Sequence, residues 1–153
     1  MKKAIAVLLV IVVVTASAFA FSFRSLGIET GTAGVFISGD MDIIDNLDVY
    51  VRLGYYTGEF GLSVGGQYKV ADFKLEGTNF DFKPGLQLNF GIGKPFVFSV
   101  LATAQVSYDS GHFRAFVRPG IGFGLSTIKF NNERFTDTYF AWAIETGVAY
   151  LFK

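Results

Sequence analysis

Seven charged residues stand out because of their company. Glu29, Arg52, Lys69, Lys83, Arg114, Arg118 and Glu145 fall at positions alternating with large apolar side chains. Their neighbours two residues away are mostly glycine, serine, alanine, asparagine and glutamine. A charge on a crowded face of small residues needs a partner, because an unpaired charge out of water is costly. The chemistry expected of them is a network of ion pairs and hydrogen bonds, acting either as a plug or as the polar lining of a narrow conduit.

Other residue patterns resemble reactive sites less well. His112 is the sole histidine, and with Asp109 and Ser110 it has the residue types of a catalytic triad. All three crowd one tight turn, which offers no mutual base–nucleophile geometry. Gly120-x-Gly122-x-Gly124 has glycine spacing suggestive of a nucleotide loop, but it lies within a strand pattern and lacks the third glycine at the dinucleotide spacing. Asp40, Asp42, Asp45 and Asp48 are rich enough in carboxylates to hold a cation, but their spacing is not that of an EF-hand. Asp40 to Asn46 reads as a solvated loop. The chain has no cysteine, which removes disulfides, thiolate metal sites, cysteine nucleophiles and a lipid-modified cysteine. Its 13 basic residues balance 13 acidic ones, leaving no excess to neutralise phosphates, so no nucleic-acid partner is expected. No cofactor, metal or catalytic residue is expected.

The elements that position these residues are strands. From Phe140 the even positions read Phe140, Trp142, Ile144, Thr146, Val148, Tyr150 and Phe152. The odd ones read Ala141, Ala143, Glu145, Gly147, Ala149 and Leu151. The same period of two recurs over Phe82–Ile92, Phe113–Leu125 and Phe60–Val70. Successive strand side chains point to opposite faces, so each strand has one large apolar face and one small polar face. A soluble barrel or sandwich would carry many Lys and Glu on its solvent face. Here the polar face is too small and too sparsely charged for that. It suits the filled interior of an eight-stranded barrel, while the apolar face suits lipid.

Turn lengths must keep the apolar face continuous, since a one-residue slip exchanges the faces. Turns at Thr57-Gly58, Gly93–Pro95, Asp109–His112 and Asn131–Arg134 all satisfy this. They delimit strands at about 47–56, 59–70, 80–92, 96–108, 113–130 and 135–152. Gly31-Thr32 as a turn divides the preceding region into two more strands. A phase slip near Ala71-Asp72 suggests a bulge. Pro84 and Pro119 recur in the similar runs Phe82–Leu86 and Val117–Ile121, and each is expected near a strand end or bulge because proline cannot donate to the ladder. The fold class predicted is all-β: an eight-stranded antiparallel up-and-down transmembrane β-barrel.

The N-terminus reads as an export address. Lys2 and Lys3 precede the apolar run Ala4–Val14, and Ala18-Phe19-Ala20 ends in a small-x-small cleavage pattern. Residues 1–20 are therefore expected to be a signal peptide and 21–153 the barrel. Without Lys2 and Lys3, 11 basic residues face 13 acidic ones. No second run of about 20 apolar residues follows, so helical spans are not expected.

The run Arg118-Pro119-Gly120-Ile121-Gly122-Phe123-Gly124 resembles the Pro-x-x-Gly-x-Gly strand of small outer-membrane barrels of the OmpX/OmpW/opacity type. The ending Gly147-Val148-Ala149-Tyr150-Leu151-Phe152 resembles the terminal strand read by barrel-assembly machinery, with Tyr150 and Phe152 as the signal residues, although Lys153 follows where such strands usually end. The resemblance implies a bacterial outer-membrane location after Sec-type export, outer-membrane lipid as surroundings, the assembly machinery as a transient partner, and a monomer. Members are assigned to surface interaction, envelope integrity and passage of small hydrophobic solutes, so the resemblance implies a place and a fold rather than an activity. A non-enzymatic barrel supporting the envelope or its surface contacts is the expected function, with a narrow pore as the first alternative. A lipid-modifying enzyme is the second. Barrels of that kind need His and Ser facing lipid, and no His falls on an apolar strand face. The connections, none longer than about ten residues, are short for a dedicated adhesive barrel.

Overall fold

The computed structural model describes residues 22–32, 34–56, 59–130 and 133–152. The export address, with Ala18 and Ala20, lies outside the described residues. Among the described residues no helix is long and apolar enough to cross a membrane, which says nothing about strands.

The described residues form nine antiparallel strands: β1 (Ser22–Gly31), β2 (Gly34–Ile44), β3 (Leu47–Tyr56), β4 (Glu59–Tyr68), β5 (Ala71–Leu75), β6 (Thr78–Ile92), β7 (Phe96–Ser110), β8 (Phe113–Phe130) and β9 (Glu133–Leu151). Sequential strands are neighbours, with β1 paired to β9 and β4 paired to β6. The sheet therefore runs round as a ring of β1–β4 and β6–β9. β5 pairs with β6 alone. β5 is thus a short extra strand beyond the expected eight, and its five residues are all exposed.

The register is sheared. From Glu29 a line of paired residues passes Phe36, Gly54, Gly61, Gly91, Val97 and Ser126 and arrives at Asp137. Glu29 is itself paired with Gly147. The ten residues from Asp137 to Gly147 are the stagger that leaning strands accumulate round a closed sheet.

Side-chain alternation assigns the faces. Ile28, Leu86, Ile121, Phe123, Phe140 and Trp142 point outward and are exposed, whereas Glu29, Gln87, Gly120 and Ala141 point inward. Inward glycines make room for large inward rings. A Cβ at Gly65 would fall within the Tyr50 ring, and one at Gly147 against the Phe116 ring. Pairing a large ring with a bare backbone position fills a narrow interior without strain.

Two hairpins are tighter than the sequence suggests. β7 and β8 pair Ser110 with Phe113, so the turn is Gly111-His112 and not Asp109–His112. β8 and β9 pair Phe130 with Glu133 and Lys129 with Arg134, so Glu133 and Arg134 belong to β9 and not to the connection. Both differences are even, so no face is exchanged.

The acidic run is strand rather than loop. β2 extends through Ile44, the turn is confined to Asp45-Asn46, and Asn46 takes the left-handed conformation that this residue tolerates (φ 67°). Asp40 and Asp48 are consequently buried inside the ring.

The phase slip appears as a break at Lys69-Val70, between β4 and β5. Pro84 and Pro119 sit well inside β6 and β8 and not at their ends. Each nevertheless meets an interrupted ladder: Pro84 lies beside the β4–β5 break, and the β7–β8 pairing lapses between Thr103↔Gly120 and Val106↔Val117. A residue without an N–H is accommodated where no partner requires one.

Candidate functional site: an ionic core inside the ring

Two arginines and two glutamates form the middle of the interior. Arg52 comes from β3, Arg118 from β8, Glu29 from β1 and Glu145 from β9. Arg52 Nη1 donates to Glu29 Oε2 at 2.9 Å and lies 2.7 Å from Glu145 Oε2. Arg118 Nη1 donates to Glu29 Oε2 at 3.2 Å and to Glu145 Oε2 at 3.4 Å. Each glutamate thus serves both arginines, and the four formal charges cancel.

Aromatic rings and amides complete the shell. The Arg118 guanidinium lies over Tyr50 (4.1 Å to the ring centroid) and Phe116 (4.8 Å), and that of Arg52 over Phe36 (4.7 Å). Arginine is suited to this because its planar group stacks while its edge donates hydrogen bonds. Arg118 Nε donates to Gln105, Arg52 Nη2 to Asn89, and the Tyr50 hydroxyl to Gln87. Gln87 in turn donates to Asn89 and Glu145. A buried polar network in which the members have partners is rigid, whereas removing one member strands the others.

A second ionic group lies nearer the end of the ring that carries the termini. Lys83 pairs with Asp48, and Arg24 bridges Asp42 and Asp48. Arg114 grips both carboxylate oxygens of Asp109, at 2.7 and 2.9 Å, and reaches Asp40 at 3.3 Å. Toward the other end the filling turns apolar, with Phe36, Val97, Leu101, Ala141, Ala143 and Tyr139 packed together.

Of the seven charged residues singled out in the sequence, Glu29, Arg52, Lys83, Arg114, Arg118 and Glu145 are buried within this interior. Lys69 is not among them. It is half-buried at the β4–β5 break, where it pairs with Asp72 (2.6 Å) and Asp81 (3.0 Å). Alternation points it inward only if β4 continues past Tyr68, and the ladder stops there. Alternation put Gln87 and Asn89 on the inward face, where they are buried; the sequence reading missed Arg24, Tyr50 and Gln105, and it placed Asp40 and Asp48 in a solvated turn. Their parity with Ser38 and Arg52 is the signal that would have found several of them.

The other candidates separate. Arg114 holds Asp109, while the His112 ring stacks on Tyr150 and its Nδ1 lies 3.3 Å from the Leu151 carbonyl oxygen. Gly120, Gly122 and Gly124 lie within β8, with Gly124 beneath the Tyr139 ring. Asp40 and Asp48 are engaged by cationic side chains. Tyr150 and Phe152 are exposed on the outer face in an aromatic group with Phe23 and Phe113.

No family model, no curated protein and no solved structure matches the chain.

Proposed function

We propose that this chain is an eight-stranded transmembrane β-barrel of a bacterial outer membrane, monomeric and non-enzymatic, which supports the envelope or its surface contacts. The observation that carries this reading is the inverted polarity of the ring. Phe123 is 69% exposed, Phe140 63% and Trp142 57%, whereas Arg52 is 0% exposed and Arg118 2%. Such an exterior is unfavourable in water and favourable in hydrocarbon, and the eight strands of the ring leave no unpaired edge among themselves, a free edge remaining on the short β5 extension. The even number of ring strands and the adjacent termini also fit. The paired charges of the interior support a closed plug in preference to an open channel, and a framework in preference to a reactive site. The likeness to small barrels of the OmpX/OmpW/opacity type is part of this proposal.

A second reading, a narrow pore, draws on the polar atoms that the ion pairs leave over. Ser63 Oγ, both amide atoms of Gln67, Thr103 Oγ1 and Ser107 Oγ are buried without hydrogen-bond partners. Gln67 and Thr103 flank Gly85, and Thr103 is paired with Gly120, so bare backbone adjoins these atoms. Unpartnered buried polar atoms are where water would bind inside the ring.

The deciding experiment follows the protein into outer-membrane fractions and compares heated and unheated electrophoretic mobility. A heat-modifiable band there supports the barrel; a soluble periplasmic protein with fixed mobility overturns it. Planar-bilayer recording of the purified protein then separates the closed framework from the pore.

A further inference from the structure

On the proposed barrel, the end of the ring away from the termini carries a feature that the inverted polarity alone does not require. The outward column of β8 and β9 changes character in steps. It begins with Ile121 opposite Trp142 and Phe123 opposite Phe140. It passes Leu125 opposite Thr138 and Thr127 opposite Thr136, whose hydroxyls lie 3.1 Å apart. It ends with Lys129 opposite Arg134. Two cations directly across a ladder repel each other unless an anion lies between them.

A third cation joins them. Lys94, in the turn between β6 and β7, lines one concave site together with Lys129, Arg134, Thr127, Thr136 and Phe96. None of the three cations has an ion-pair partner among the described residues. No acidic side chain lines the site. Glu133 and Asp137 fall on the opposite face of β9 by alternation, and Glu59 lies against Gly93 on the inward side of that turn. The cations are accessible, and exposed Phe96, Leu125 and Phe123 extend the same outer surface away from them.

We propose that Lys94, Lys129 and Arg134 hold the phosphate group of a membrane lipid whose acyl chains lie along Phe96, Leu125, Phe123 and Phe140. The ligand must be an anion at one end and hydrocarbon at the other, because the site is cationic at one end and apolar at the other. A phosphate ester meets three cations and the one hydroxyl hydrogen that the Thr127–Thr136 hydrogen bond leaves free, and Arg134 supplies a planar fork for it. A free anion has no use for the apolar column. The inference rests on the barrel reading, since only a ring embedded in lipid brings headgroups to this height.

The test uses the mature protein folded into phosphatidylcholine vesicles that contain a minor fraction of diphosphoryl lipid A, phosphatidylglycerol or uncharged diacylglycerol. Lipid retained after extraction in mild non-ionic detergent is counted by native mass spectrometry. Wild type should retain lipid A and phosphatidylglycerol, whose phosphate charge is uncompensated, over both diacylglycerol and the zwitterionic host lipid. The triple variant Lys94→Gln/Lys129→Gln/Arg134→Gln should fold with the same heat-modifiable mobility but retain them at least about tenfold less. Lys74→Gln, on exposed β5, should retain them as wild type does. Equal retention by wild type and triple variant overturns the site and leaves the barrel reading standing. Displacement by millimolar inorganic phosphate marks a free-anion site and overturns the lipid assignment. Failure of both proteins to enter vesicles overturns the barrel reading and this inference with it.

Discussion

Glu29 and Arg118 are 89 residues apart in sequence, yet Arg118 donates from both terminal nitrogens to the two carboxylate oxygens of Glu29, at 3.2 and 3.5 Å. Neither strand that carries them pairs with the other, for β9 stands between β1 and β8. The contact spans the interior, so the four-charge group ties the walls of the ring across its lumen as well as along its ladders.

That arrangement predicts strong coupling between opposite charges. Arg118→Met or Glu145→Gln alone should destabilise the folded protein by about 3–5 kcal/mol, because each leaves a buried charge short of its partner. The double variant should cost less than the sum. Arg52→Met with Glu145→Gln should couple more strongly still, since Arg52 lies 2.7 Å from Glu145 and Arg118 lies 3.4 Å from it. Urea unfolding in lipid measures both cycles; simple additivity would show that the pairs contribute nothing.

Neighbours on one strand should behave oppositely. Leu88 is 39% exposed and Gln87 fully buried. Leu88→Arg should cost about 2–4 kcal/mol of folding stability in a bilayer. A cysteine at 88 should react with a lipid-soluble probe, and a cysteine at 87 should not. Reversed labelling would mean that the apolar face is the protein's core.

Adjacent glycines should also differ. A Cβ at Gly65 collides with the Tyr50 ring, while one at Gly66 meets nothing within 4 Å. Gly65→Ala should therefore destabilise by about 1–3 kcal/mol, as overpacking does, and Gly66→Ala should change stability little. Tyr50→Leu should recover part of the Gly65→Ala loss, which the same unfolding assay reads.

The β5–β6 extension should respond to pH. The hydrogen bond from Lys69 holds the Asp72 carboxyl below its ordinary range, and the same bond holds the Lys69 ammonium above its own. A lowered carboxyl contributes in full above its unfolded value and loses that contribution as pH falls through the folded one. A raised amine contributes in full below its unfolded value and loses it as pH rises through the folded one. The pair should therefore steady the extension between roughly pH 4 and 10. The effect should be small, because Asp72 is exposed. Protection of the Val70 amide, which donates to the Phe82 carbonyl, reads it by hydrogen exchange. The acid-side change should vanish in Asp72→Asn.

Much of the ring was legible because alternation is local. The parity of Phe140, Trp142 and Ile144 against Ala141, Ala143 and Glu145 needs no knowledge of the partner strand, and it assigned Glu29, Arg52, Lys83, Arg114, Arg118 and Glu145 to one face. Register was less legible, because turns of two and four residues preserve the faces equally. Continuity of the apolar side could not tell whether Glu133 and Arg134 belong to β9 or to the connection, nor choose between 111–112 and 109–112. The central site was thus anticipated as a set of residues; a 131–134 turn puts Arg118 opposite Gly147, two residues from Glu145, its observed partner. Composition misled where it competed with alternation. Asp40, Asp42 and Asp45 resemble turn residues, yet Asp40 is buried beside Arg114. Lys69 lay beyond the last paired residue of β4, where parity no longer predicts direction.

The origin of the four central charges bears on the order of events when the protein folds. They come from the first, third, eighth and ninth strands, and the β1–β9 pairing joins the two ends of the chain. Each half of the chain holds one arginine and one glutamate of the group, neutral but with each side chain short of one of its two partners. A sheet of β1–β4 alone would hold Glu29 and Arg52 without Arg118, and a sheet of β6–β9 would hold Arg118 and Glu145 without Arg52. On the proposed barrel, strands that entered hydrocarbon one hairpin at a time would carry such half-matched sets with them. The β1–β9 seam is flanked by Glu29 and Glu145, so its closure brings the two ion pairs together and adds the Arg52–Glu145 and Arg118–Glu29 contacts. On the proposed barrel the four-charge group is therefore complete only once the two ends of the chain have met.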